Sequence, residues 1–143
     1  MPPTPSDLYA LLCEPREALS EMFVALEEPM AMPNQSSRTT AVQFRNFGRI
    51  EGVLAATGLA VTLVSPAKWK RDLGLLLTPA EKYDPETQLA LTPSRLTTAR
   101  KRKALKMARE LWPDAWIDRT KDDGRAEALL LAEWLRRRTC QTT

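Results

Sequence analysis

The feature that most limits how this chain can fold is its shortage of β-strands, because only two short apolar runs suit a buried strand. The first run covers residues 22–26 (Met-Phe-Val-Ala-Leu) and is ended by Pro29, and the second covers Ala60–Val64. A sheet of two strands is rarely stable alone. Because helices are predicted around these strands, we expect an α/β fold in which part of the sheet is missing.

Helical patterns account for most of the remaining chain. Residues 37–57 are amphipathic and are followed by Gly58, a typical residue after a helix C-terminus, while Ser65-Pro66 starts another helix. Two further helices are predicted over residues 93–111 and 123–137. A short helix near residues 6–12, a turn over 16–20 and a proline-containing loop insertion over 74–93 complete the prediction. A length of 143 residues suits one domain that covers the whole chain.

Composition excludes several kinds of site. Histidine is absent, and the two cysteines, Cys13 and Cys140, lack metal-ligand spacing. A Ser-His-Asp triad, a Cys-His pair and a His-ligated zinc are therefore excluded, so that acid, base or metal chemistry depends on carboxylates, lysine, tyrosine or thiols. No apolar stretch has the length of a membrane span, and the first residues lack the pattern of a secretion signal. We therefore expect no membrane partner and a cytoplasmic location.

Positive charge is concentrated in the second half of the chain. The formal net charge is +3, yet residues 68–143 hold 17 basic and 11 acidic side chains. Seven of the basic residues lie within residues 95–109, where no acidic residue occurs. Such a stripe favours a polyanionic partner, although a solvated helix face would have the same pattern.

Carboxylates are grouped at the end of the first strand and the start of the last helix. Glu27 and Glu28 end the strand, and Asp122, Asp123 and Glu127 open the helix. Asp123 and Glu127 are four residues apart, so a helix presents them on the same face. Carboxylates of this kind are ligands for Mg²⁺, and two such ions can support phosphodiester cleavage. The same residues also suit a helix cap and an exposed acidic turn.

Four segments, in the same order along the chain, resemble the RuvC-type Holliday junction resolvases, and most closely their phage-like branch. They are residues 24–33 (Val-Ala-Leu-Glu-Glu-Pro-Met-Ala-Met-Pro), Phe47-Gly48 with Gly52-Val53-Leu54, residues 61–70 (Val-Thr-Leu-Val-Ser-Pro-Ala-Lys-Trp-Lys) and residues 121–132 (Lys-Asp-Asp-Gly-Arg-Ala-Glu-Ala-Leu-Leu-Leu-Ala). The resemblance implies an RNase H-like α/β sandwich. It also implies a Mg²⁺- or Mn²⁺-dependent, structure-selective DNA endonuclease that cuts four-way junctions as a homodimer.

The resemblance also assigns site residues. It implies that Glu27, Asp123 and Glu127 are catalytic metal ligands, with Asp122 as the alternative to Asp123 for one acidic position. Glu127 stands where the family usually has Asp, and Glu28 stands where it tends to have Gln or Lys. Ten basic residues are predicted to contact DNA phosphates: Arg38, Lys68, Lys70, Arg71, Arg100, Lys101, Arg102, Lys103, Lys121 and Arg125.

The aromatic residues have two competing interpretations. Phe44, Phe47 and Trp69 suit either stacking on unpaired bases or core packing. We expect Trp112, Trp116 and Trp134 to be core residues.

The main departure from the family lies at the start of the sequence. The family's first three strands, with the aspartate that bridges both metal ions, have no counterpart in residues 1–143, since residues 1–5 resemble the segment that follows those strands. A start site further upstream, a gene remnant and a partner that supplies the strands all remain open as explanations. The departure predicts weak or absent cleavage by these residues alone. The alternative function is a catalytically inactive DNA-binding module or a remnant.

Overall fold

The structure is a computed structural model that describes residues 22–33, 35–117 and 119–140, together with residues 4, 6, 7, 9 and 10. Of the predicted N-terminal helix, residues 6, 7, 9 and 10 are described and are helical. The predicted turn over residues 16–20 and Cys13 lie outside the described residues. Contacts divide the chain into two compact units, Met1–Pro66 and Ala67–Thr143, and each is described by itself.

The first unit contains a strand, a helix and a second strand. Strand β1 (Phe23–Glu27) is followed by helix α1 (Ser37–Thr57) and strand β2 (Ala60–Val64). The strands pair in parallel, with Phe23 opposite Ala60 and Glu27 opposite Val64. A parallel pair needs a long crossover, which α1 supplies. The fold is therefore mixed α/β with a two-stranded parallel sheet, and the predicted strands are confirmed, with β1 shifted by one residue.

Local signals explain the ends of α1. The Ser36 hydroxyl accepts a hydrogen bond from the Thr39 amide at 3.1 Å, which satisfies one of the unpaired amides at the helix start. Gly58 follows the helix with φ 70°, a left-handed conformation that glycine adopts without strain, and its amide bonds to the Ala55 carbonyl. Within the described part of this unit only Leu54 and Val64 are buried, whereas Phe23 is 59% exposed. The two strands therefore bury little apolar surface by themselves.

The second unit is built mainly from helices. Helix α2 (Pro66–Asp72) begins just before it, and the long helices α3 (Pro93–Leu111) and α4 (Asp123–Thr139) pack against each other. Its buried apolar residues are Trp69, Leu73, Leu75, Ala104, Leu105, Ala108, Ile117, Ala126, Leu130, Trp134 and Leu135. The predicted span of α3 is confirmed, and α4 runs two residues beyond its predicted end. Arginines fill the last turn of α4, where positive charge complements the helix dipole.

The predicted loop insertion over residues 74–93 is largely irregular, as expected. It contains one turn of 3-10 helix (Ala80–Lys82) and a single antiparallel bridge between Tyr83 and Ala90. Two ion pairs attach it to α3, Lys103–Glu81 at 2.9 Å and Arg95–Asp84 at 3.0 Å.

The structure decides between the interpretations for some of the aromatic residues. Trp69 is 1% exposed and is a core residue, so stacking on bases is excluded for it in this conformation. Trp134 is buried as predicted, whereas the core prediction for Trp116 is wrong, since this side chain is 84% exposed. Trp116 lies in the loop between α3 and α4, where the neighbouring Ile117 is 1% exposed and takes the buried position.

Trp112 and Phe47 are half-buried, while Phe44 is 46% exposed. For the two phenylalanines, base stacking stays a prediction. Across the described ranges, no helix is long and apolar enough to cross a membrane.

Candidate functional site

The carboxylates at the start of α4 form ion pairs with different basic residues, one within the same turn and the others on neighbouring helices. Just before the helix, residues Thr120–Asp122 form a turn of 3-10 helix. The Asp122 carboxylate accepts hydrogen bonds from the Arg119 amide at 3.0 Å and from the Arg119 guanidinium at 3.1 Å, and the residue is 8% exposed. These bonds hold the pKa of Asp122 below its usual range. Asp122 therefore stabilises the turn and faces Arg119.

Asp123 contacts a lysine on the neighbouring helix. The Lys101 ammonium lies 2.8 Å from Asp123 Oδ2, and the Asp123 side chain is 24% exposed. This hydrogen bond lowers the pKa of Asp123 and raises the pKa of Lys101. The negative charge of Glu127 adds to the rise in the pKa of Lys101, so this one ammonium lies in the field of both carboxylates.

Glu127, one turn further along α4, contacts a different lysine. Its Oε1 lies 2.8 Å from the Lys70 ammonium on α2, and the two side chains are 37% and 27% exposed. The Lys70 ammonium also lies 5.1 Å from the centre of the Trp69 ring, within the range of a cation–π contact. Lys70 and Glu127 line a cavity of about 50 Å³ together with Leu75, Leu76, Arg100 and Ala104.

The two carboxylates of α4 suit the binding of a cation. Asp123 and Glu127 point from one face of α4, and each already holds a positively charged group. Mg²⁺ is commonly bound through one or two carboxylates plus phosphate oxygens, so these two donors fit such an ion once the lysines are displaced. Among the described residues, no group of three or more His, Cys, Asp or Glu side chains is placed to hold a metal ion.

The predicted carboxylate of the first unit lies at the end of its sheet. Glu27 is the last residue of β1, opposite Val64, and is half-buried. The amide of the next residue, Glu28, extends the pairing by donating to the Val64 carbonyl at 2.9 Å. The Glu28 side chain is exposed. The carboxyl end of a parallel strand is a usual place for a functional residue, so this position is compatible with the assigned role.

Several of the predicted DNA-binding residues are occupied within the protein. Lys103 donates to Glu81 and to the Leu76 carbonyl, and Lys68 lies 3.8 Å from Asp72. Arg125 donates to the Trp116 carbonyl at 2.6 Å. The remaining members of the predicted set, apart from Lys70 and Lys101, are exposed: Arg38, Arg71, Arg100, Arg102 and Lys121. Internal ion pairs therefore reduce the charge that this surface offers to a polyanion.

A groove on the second unit includes basic residues that were not predicted to bind DNA. It has a volume of about 560 Å³ and is lined by Arg102, Leu105, Lys106, Arg109, Glu110 and Thr120. The spacing of Arg102, Lys106 and Arg109 is a signal that identifies them, because residues at i, i+4 and i+7 share one face of a helix. Within this groove Arg109 also donates to the Ile117 carbonyl at 2.9 Å, which connects it to the loop that carries Trp116.

Comparison with known proteins identifies no family for this chain. A scan against protein-family models and a search of curated proteins found no match to this chain. A function for the chain is therefore inferred from its sequence motifs and from the contacts of its carboxylates and basic residues.

Proposed function

We propose that this chain is an RNase H-like, RuvC-type nuclease that cuts branched DNA, such as a four-way junction, with Mg²⁺ or Mn²⁺, and that it cuts weakly, since the metal-bridging aspartate of the resolvases has no counterpart among residues 1–143. One observation carries the proposal: Asp123 and Glu127 lie one turn apart on one face of α4, and each holds a lysine ammonium at 2.8 Å, Lys101 for Asp123 and Lys70 for Glu127. Two neighbouring carboxylates that each hold a cationic group have the chemistry required of metal ligands. We further propose a homodimer, as the resemblance to the resolvases implies.

The positions of the resolvase-like segments support this proposal. The first such segment runs along β1 and has Glu27 at the strand end, and the third runs from β2 into α2. The fourth opens α4 and contains both Asp123 and Glu127. Each carboxylate that the resemblance assigns thus lies at the end of a strand or the start of a helix, where its backbone is held by regular hydrogen bonding.

The residues of the second unit would have distinct roles. Asp123 and Glu127 would hold the metal ion, which when bound activates water and stabilises the leaving oxygen of a phosphodiester. Before the metal enters, Lys101 and Lys70 would orient the two carboxylates through contacts of 2.8 Å. The exposed Arg100 and Arg102 would bind backbone phosphates without regard to sequence. Glu27 is proposed as a further catalytic carboxylate from the resemblance.

The test is to change the carboxylates and to measure nicking and binding separately. Asp123→Asn, Glu127→Gln and Glu27→Gln should each abolish Mg²⁺-dependent nicking of a labelled four-way junction while affinity for the junction stays within a few-fold. Glu86→Gln is the matched control, because Glu86 is an exposed carboxylate of the same unit that lies in the loop between α2 and α3 and lines neither the cavity nor the groove. Nicking that survives in the Asp123 and Glu127 variants would refute their assignment. Loss of nicking and binding together would make the changed residue structural.

A second function is favoured by the same contacts. Because each carboxylate is satisfied by a lysine, the site is also stable as a set of ion pairs that needs no metal. The chain would then be a catalytically inactive module that binds branched DNA through its basic residues. This function predicts a junction complex that forms equally with and without Mg²⁺ and leaves every strand intact.

A further inference from the structure

We propose that Trp116 is a stacking platform for an unpaired nucleobase, and that the groove beside α3 receives the phosphates of the same strand. This inference deepens the proposed function by naming a residue and a DNA feature, and it rests on that function. Trp116 is 84% exposed, although tryptophan normally buries much of its large apolar surface.

The backbone that carries this indole is held in place on both sides. Arg125 donates to the carbonyl of Trp116 itself at 2.6 Å, and Arg109 donates to the carbonyl of Ile117 at 2.9 Å. The Ile117 side chain is 1% exposed and anchors the loop in the core. The Ala115 amide closes a turn onto the Trp112 carbonyl at 3.1 Å. An exposed ring on such a fixed loop loses little conformational freedom when it binds a ligand.

The surroundings of the loop favour a polyanion. Residues 100–125 contain nine basic and five acidic side chains. Two of those acids, Asp122 and Asp123, are already bound to Arg119 and Lys101. Positive charge therefore remains in excess along this segment, which carries the exposed ring, and the combination of basic and aromatic side chains is the one used to bind single-stranded nucleic acid.

The groove of about 560 Å³ provides a place for the backbone of such a strand. Arg102, Lys106 and Arg109 line it, and Arg109 joins it to the Trp116 loop through the Ile117 carbonyl. A protein partner would instead call for further apolar side chains around the tryptophan. Three of the six residues that line the groove are basic and one, Glu110, is acidic, so its charge favours phosphate groups. A nucleotide therefore fits this surface better than an uncharged protein segment does.

The test compares two probes that differ only in their bases. One is a short fluorescent oligodeoxythymidine, and the other is an abasic strand of the same length with the same phosphates. Trp116→Ala should weaken binding of the oligodeoxythymidine by about 5- to 150-fold, the effect of losing one base–aromatic stack, and should change binding of the abasic strand by less than about twofold. Trp116→Phe keeps an aromatic face and should retain most of the affinity.

The outcomes separate this inference from the proposed function. If the unaltered chain binds the oligodeoxythymidine and Trp116→Ala binds it equally well, the stacking role is wrong and the proposed function stands. An equal loss on both probes would likewise refute stacking, because the abasic strand has no base to stack. If the unaltered chain binds neither these strands nor a four-way junction, the proposed function is wrong and the stacking role falls with it. Thermal unfolding should be unchanged in both variants, since the side chain is exposed.

Discussion

Replacing Lys101 with methionine should increase the affinity of the chain for Mg²⁺. In the structure the Lys101 ammonium holds Asp123 at 2.8 Å and lies in the field of Glu127. A metal ion that uses Asp123 must first break this ion pair, so the pair competes with the metal. The Lys70 ammonium competes for Glu127 in the same way, at 2.8 Å.

The size of the effect follows from the exposure of the pairs. The side chains of Lys101 and Asp123 are 50% and 24% exposed, so solvent weakens their attraction. Ion pairs of this kind are weak, and removing one corresponds to a gain of about 1.5- to 5-fold in Mg²⁺ affinity. Lys70→Met should give a similar gain. If the two pairs act independently, the double variant should gain roughly 2- to 25-fold.

The assay is a calorimetric titration of the DNA-free protein with MgCl₂. Lys68→Met is the matched control, because Lys68 has the same charge and lies on α2 but pairs with Asp72, at 3.8 Å. It reports the general effect of removing one positive charge. A Lys101→Met protein that binds Mg²⁺ no better than the Lys68→Met protein would refute the competition and, with it, the role of Asp123 as a metal ligand.

Three other measurements test the fold and the DNA surface. Leu130 is 0% exposed, so Leu130→Ala should lower the free energy of unfolding in urea by about 2–5 kcal/mol, and a loss under about 1 kcal/mol would contradict its place in the core. Changing Arg100 and Arg102 to glutamine should reduce the slope of log affinity against log salt by up to about 2 in a junction-binding titration, whereas an unchanged slope would remove this face of α3 from the interface. Hydrogen bonds from Arg136 and the following arginine lower the pKa of Glu133 from 4.5 to about 2. The stability that this carboxylate contributes is therefore complete above pH 4.5 and is lost as the pH falls towards 2, so the unfolding temperature should decline in that window and Glu133→Gln should flatten the decline.

Local sequence signals explain why most elements could be predicted. The spans of α1 and α3 follow from a hydroxyl cap at the start, from Gly58 after α1 and from apolar spacing along α3. All of these signals lie within a few residues of the feature that they define. The start and end of β1 are less local, since they depend on which residues pair with β2, and the strand is shifted by one residue towards Glu27.

The side-chain environment of the site depends on contacts that no local pattern contains. Lys70 and Glu127 are 57 residues apart in sequence, and their ion pair exists because α2 and α4 meet in the folded unit. The basic stripe predicted a charged surface, but the partners of Lys101 and Lys103 are set by packing. The exposure of Trp116 also could not be predicted locally. Its hydrophobicity predicts burial, but the packing of the loop buries Ile117 instead.

The most direct test of the proposed nuclease is to incubate the purified chain with a labelled four-way junction, with Mg²⁺ or with EDTA, and to run native and denaturing gels from the same tubes. The proposed function predicts a retarded complex under both conditions and nicked strands only when Mg²⁺ is present. A retarded complex whose strands all remain intact in Mg²⁺ would contradict the nuclease and leave the inactive DNA-binding module as the function of this chain.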